Sequence, residues 1–122
     1  MGNRSLKGYS SNIEEETVGN SFFRKVLYTG PNMQLVVMTL QPGEDIGMEV
    51  HDGHDQFFRV EQGEVVVFID GEEITVKEDE VAIVPAGKQH NVTNQSETVA
   101  KLYTIYAPPE HPDGRVNETK PV

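Results

Sequence analysis

Apolar and β-branched residues come along this chain in short runs separated by turn residues, and no sustained helical period of roughly 3.6 residues interrupts them. From Phe22 to Leu40 two such runs flank Thr29-Gly30-Pro31-Asn32, which predicts strand, turn, strand. Gln41-Pro42-Gly43-Glu44 is the next break, with a new strand expected near Gly47. Gln56–Glu61 and Glu64–Ile69 flank Gln62-Gly63, and Asp70-Gly71 separates Val65–Ile69 from Glu72–Val76, a strong hairpin signal. Val81–Val84, Gln89–Thr93 and Val99–Tyr106 continue the series, giving about nine strands, the spacing of an all-β sandwich or barrel. Residues 1–20 are polar and read as a loose arm, residues 21–108 as the barrel, and residues 109–122, rich in proline, as an irregular tail lying across one barrel end.

A chain of 122 residues suits one core and one pocket. No apolar run approaches the roughly 20 residues that span a bilayer, and MGNRSLKGYSSN lacks the apolar stretch of a secretory signal, so the cytoplasm is the expected compartment. A formal net charge of -10, with scattered Lys and Arg, excludes nucleic acid as an expected partner. The long apolar strands between Phe22 and Leu40 have edges that need covering, which predicts a homodimer. There is no cysteine, so any metal site is built from histidine, carboxylate and amide.

Such a site is visible. Glu49 and His51 are two apart and share a face on an extended strand, with Val50 facing away. Across the polar loop Asp52-Gly53-His54, Gln56 shares a face with Phe58 and Val60 on the following strand. The turn Pro85-Ala86-Gly87-Lys88-Gln89 then places His90 at the head of another strand, where it can meet the first group across the barrel interior. Two imidazoles, a carboxylate and an amide oxygen suit one divalent Mn, Fe, Co, Ni or Zn ion. His54 reads as a solvated loop histidine, with a place beside the site as the alternative, and His111 as more exposed still. Near the C-terminal end of the barrel either Lys101 and Tyr103 or Leu102, Thr104 and Tyr106 face inward; the pattern leaves that alternation open. Serine-hydrolase elbows, phosphate-binding P-loops and dinucleotide fingerprints do not occur.

Gly43, Glu49-Val50-His51, Gln56 and Gly63, followed by Asp79, Pro85-Ala86-Gly87, His90 and Asn94, resemble in spacing the paired motifs of the cupin superfamily. The resemblance implies a double-stranded β-helix (jelly-roll) barrel, often dimeric, with one divalent metal at the open end. Glu49 stands where that family usually has a histidine, Gln56 where it has a glutamate, and Asp79 where it has a glycine. The first two exchanges leave the summed ligand charge at minus one. DQFFRVEQG and YTIYAPPEHPDG are further similar to small bacterial cupins loosely named mannose-6-phosphate isomerases.

Together these expectations describe a metal-dependent enzyme acting on a small polar molecule, with isomerisation or epimerisation of a sugar or sugar phosphate favoured. Glu49 is then a ligand and a candidate catalytic proton shuttle. A metal-dependent dioxygenase and a ligand-binding or sensing module that turns nothing over are the alternatives.

Overall fold

The computed structural model describes residues 8–121. Ten strands and one short helix follow the order α1 (Ile13–Val18), β1 (Arg24–Thr29), β2 (Gln34–Leu40), β3 (Glu49–Val50), β4 (Asp55–Gln62), β5 (Glu64–Ile69), β6 (Glu72–Lys77), β7 (Val81–Val84), β8 (Gln89–Thr93), β9 (Ala100–Ala107) and β10 (Val116–Asn117). They form two antiparallel sheets, β10-β1-β2-β9-β4-β7 and β3-β8-β5-β6. Val36, Met38, Phe58, Val60 and Leu102 of the first sheet and Val65, Val67, Val76 and Val92 of the second share one buried core. This is the jelly-roll architecture that the strand pattern and the cupin resemblance anticipate.

Alternation resolves the open question on β9: Leu102, Thr104 and Tyr106 are buried, whereas Lys101 and Tyr103 face out. On β4, Gln56, Phe58 and Val60 point inward as expected. The hairpin at Asp70-Gly71 has positive φ at both residues, 48° and 86°, the backbone twist that a two-residue connection between twisted strands requires. Asp79 likewise has φ 69°, which explains why a glycine is usual there, and its carboxylate pairs with Arg59 at 3.1 Å.

Both chain ends are more ordered than the pattern of residues indicates. Residues 1–7 of the expected arm lie outside the described residues, but Ile13–Val18 is helical. Asn12 caps the helix by accepting from the Glu15 N–H at 3.0 Å, and Glu14, Glu15 and Glu16 occupy the first turn, where the helix dipole favours negative charge. At the other end the Lys101 ammonium donates to the Val18 and Asn20 carbonyls at 2.8 and 2.6 Å. The tail adds β10 to β1, with Arg24 opposite Asn117, so the edge that suggested dimerisation is covered within the chain. No helix among the described residues is long and apolar enough to cross a membrane.

Gly63 closes the β4–β5 turn at φ 80°, and a Cβ there would lie 2.6 Å from the Val99 carbonyl oxygen. Gly63→Ala therefore carries both left-handed backbone strain and a backbone clash, an expected loss of at least about 2 kcal/mol. A urea midpoint equal to that of the parent would contradict this packing.

Candidate metal centre

β3 is only two residues long, yet it fixes the site: Glu49 lies directly opposite His90 of β8, and Val50, opposite Gln89, is exposed. Paired residues project to the same side of a sheet, so the carboxylate and the imidazole enter the barrel mouth together. Glu49 and His90 are thus neighbours within one sheet, whereas Gln56 comes from the facing sheet, opposite Tyr106 of β9. Sequence spacing alone sets His90 across the interior from the other three; the actual division follows from β3 pairing with β8.

His51 follows β3 in a turn whose carbonyl accepts from Gly87 N–H at 2.9 Å, tying the two motif loops together. Its Nε2 lies 3.2 Å from Glu49 Oε1, and His90 Nε2 lies 4.0 Å from the same oxygen. One ligand atom from each of Glu49, His51 and His90 falls within 4.8 Å of the others. His90 is buried and Gln56 is buried, and the His51 side chain is 10% exposed.

The hydrogen bonds of His90 are the most informative. Nδ1 faces the Lys88 carbonyl at 3.1 Å, and Nε2 faces the Gln56 amide oxygen at 3.1 Å. A neutral ring has one proton for these two oxygens, so one of its nitrogens presents a lone pair to an oxygen lone pair. Two buried acceptors so placed are joined by an added proton or by a cation, or the amide turns over. In the arrangement seen, the Gln56 Nε2 donates to Thr104 Oγ1 at 3.1 Å, which directs its oxygen at His90.

A second group meets the first through His51. Glu110 Oε1 lies 3.0 Å from His54 Nδ1 and 3.6 Å from His51 Nδ1. His54 is therefore beside the site rather than simply solvated, and His111 is not exposed: its Nε2 meets Tyr106 Oη at 3.2 Å. Burial of Tyr106, with the Glu49 charge adding to it, raises the phenol well above its ordinary range and keeps it protonated. Burial lowers His111 to about 4, with the positive charges of Arg24 and Arg115 acting in the same direction.

Glu110, Tyr106 and Thr104 were not singled out as site residues from the sequence. Only the expectation that the tail crosses a barrel end pointed toward Glu110. Asn94, by contrast, is a motif residue that serves the fold, since its amide donates to the Leu40 and Thr98 carbonyls at 2.9 and 2.8 Å.

Comparison with known proteins agrees with this fold. The cupin domain model matches residues 36–106, more than half of the chain, and the chain belongs to that family. The uncharacterized protein YrkC of Bacillus subtilis is 45% identical over 120 residues, covering 93% of this chain and 64% of the relative, so this chain spans less than two thirds of its length. The uncharacterized protein L612 of Acanthamoeba polyphaga mimivirus is 39% identical over 117 residues, covering 93% of this chain and 73% of its own. Among solved structures, BH2720 from Bacillus halodurans superposes with a TM-score of 0.93 at 42% identity, covering 98% of this chain and 96% of that one.

Because the folded state holds His111 below its ordinary 6.5, the unfolded chain binds the extra proton as pH falls. The resulting stability is complete above the ordinary value and is lost progressively as pH falls toward about 4. Urea midpoints should therefore drop between about pH 7 and about pH 5, and His111→Gln should flatten that slope. An unchanged slope in the variant would show that His111 is not the titrating group.

Proposed function

We propose that the chain is a metal-dependent enzyme that moves a proton on a small hydroxy-carbonyl compound, as in the isomerisation or epimerisation of a sugar or sugar phosphate. The observation that carries the metal is the convergence of His90 Nε2 and Gln56 Oε1, 3.1 Å apart, with Glu49 and His51 alongside. Donor atoms about 2.1 Å from one ion stand roughly 3.0 to 3.4 Å from their neighbours. The His90–Gln56 and His51–Glu49 separations, 3.1 and 3.2 Å, fit that spacing. The 4.0 Å from Glu49 to His90 is longer, and Glu49, 31% exposed, is the freest of the four to shorten it. Glu49, His51, Gln56 and His90 would hold the ion.

When bound, a divalent ion supplies Lewis acidity at a substrate carbonyl. The chain's own part is orientation and proton transfer. His54, whose Nδ1 lies 3.0 Å from Glu110 outside hydrogen-bonding geometry and whose side chain is 20% exposed at the mouth, is the imidazole placed to serve as general base. Tyr106, held protonated, remains a hydrogen-bond donor beside the ligands. Glu49, whose Oε1 already faces both imidazoles, is assigned as ligand ahead of its proton-shuttle role.

A specific observation favours a second reading. His51, His90 and Glu49 form a two-histidine, one-carboxylate set, the donor combination of non-haem iron oxygenases. The metal retained on purification without chelator separates the two: iron supports dioxygenase chemistry, whereas zinc or manganese supports the isomerase. A melting temperature raised by sugars with no product formed would instead make the protein a binding module. Pairing of two chains is part of the proposal, through the outer face of the six-stranded sheet, where Tyr28, Met33, Leu35 and Ile105 line an apolar groove. A monomeric mass by light scattering at micromolar concentration would remove it.

His51→Ala and His90→Ala should each lose most of the bound metal and stay folded, since neither residue belongs to the apolar core. Full metal stoichiometry in either variant would contradict the shared site. Glu49→Gln removes the one negative ligand and should weaken binding at least about tenfold, or roughly 1.4 kcal/mol, in calorimetric titration with Mn²⁺ or Zn²⁺. Gln56→Glu should tighten binding or leave it unchanged.

A further inference from the structure

Gln34 is a fully buried amide at the start of β2, and all its hydrogen bonds but one go to the tail. Its oxygen accepts from the backbone N–H groups of Glu110 and His111 at 3.1 and 2.9 Å, and its nitrogen donates to the His111 carbonyl at 2.7 Å and to Thr29 Oγ1 at 2.9 Å. The orientation of this amide is forced, because backbone N–H groups only donate and a carbonyl only accepts. An irregular, proline-rich segment is thereby fixed at two consecutive residues. The first of them is Glu110, whose carboxylate oxygen stands against both His54 and His51.

His51 has one proton to place. Its Nε2 faces Glu49, and in the metal-free ring that nitrogen can donate to the Glu49 carboxylate at 3.2 Å. A metal taken by the same nitrogen needs its lone pair, so the proton must then be on Nδ1, with no change in the total. The carboxylate facing Nδ1 among the described residues is Glu110, at 3.6 Å, longer than a hydrogen bond. Its position follows from Gln34, since Glu110 has no strand of its own to hold it.

We propose that Gln34 is a positioning residue for the metal centre: by latching the backbone of Glu110 and His111 it keeps the Glu110 carboxylate beside His51 Nδ1, within a small side-chain movement of accepting a hydrogen bond from that N–H when Nε2 is taken by a metal. The inference rests on the metal reading above. Partners of this kind set the tautomer and basicity of a ligating imidazole, and removing one typically weakens metal binding about 10- to 100-fold.

Calorimetric titration of the metal-free full chain with Zn²⁺ and Mn²⁺ provides the test. Glu110→Gln should weaken binding about tenfold, Gln34→Met by a similar factor, and the double variant no further than Glu110→Gln alone. Thr29→Val is a milder variant that removes one anchor of the Gln34 amide and keeps the side-chain volume. It should weaken binding in the parent and have no effect when Glu110 is already Gln. A parent that binds neither ion sinks the metal reading, and this inference with it. A parent that binds while Glu110→Gln stays within about twofold of it overturns the inference alone. So does a Gln34→Met effect that persists in the Glu110→Gln background, because Gln34 would then act by another route. Two ions per chain, the second lost in Glu110→Gln, would make Glu110 and His54 ligands themselves and equally overturn it.

Discussion

The register of one very short strand pairing governs the mouth of this barrel. Glu49 opposite His90 puts a carboxylate and an imidazole on one side of the small sheet, and Gln56 arrives from the large sheet with its amide oxygen aimed at the same imidazole. Slip β3 by one residue and Val50 would replace Glu49 inside, because alternate side chains change face. The turn that carries His51 depends on the same pairing, and it is held to the loop before β8 by the Gly87 N–H. A few backbone hydrogen bonds thus fix four donor groups drawn from two sheets.

That arrangement makes sense of the two departures from the usual cupin ligands. A carboxylate at position 49 and an amide at position 56 carry the same summed charge as a histidine and a glutamate. The two choices also suit their surroundings. Gln56 is buried, and its nitrogen finds Thr104, which leaves the oxygen to face His90; a carboxylate there would carry a buried charge. Glu49 is partly exposed and bears its charge at less desolvation cost. The negative charge of the candidate set thus sits at the mouth of the barrel rather than in its wall.

Much of the fold was legible because β structure writes itself in alternation and turns. Asp70-Gly71, Gln62-Gly63 and the inward set Gln56, Phe58 and Val60 could be read directly, since each depends on local backbone geometry or a period of two. The four candidate ligands were legible for the same reason, together with their spacing. What escaped depends on contacts distant in sequence. α1 is too short for periodicity to declare; its sign was Asn12 followed by Glu15 at capping distance, and its support comes from Lys101 far along the chain. The tail looked irregular, and mostly is, but Gln34 and β1 give it a fixed path. Glu110 and His111 owe their positions to that path, and His54 owes to it the carboxylate beside it. No local pattern around them could have shown it.

The claim on which the account rests is that one divalent ion is held by two imidazoles and two side-chain oxygens at the barrel mouth. X-ray absorption at the K-edge of zinc or manganese bound to the purified chain tests it most directly. The account predicts the multiple-scattering signature of two imidazole rings together with oxygen neighbours, and the loss of one ring in His51→Ala. A spectrum with oxygen ligands only, unchanged by that substitution, would place the metal elsewhere on this acidic surface and contradict the site.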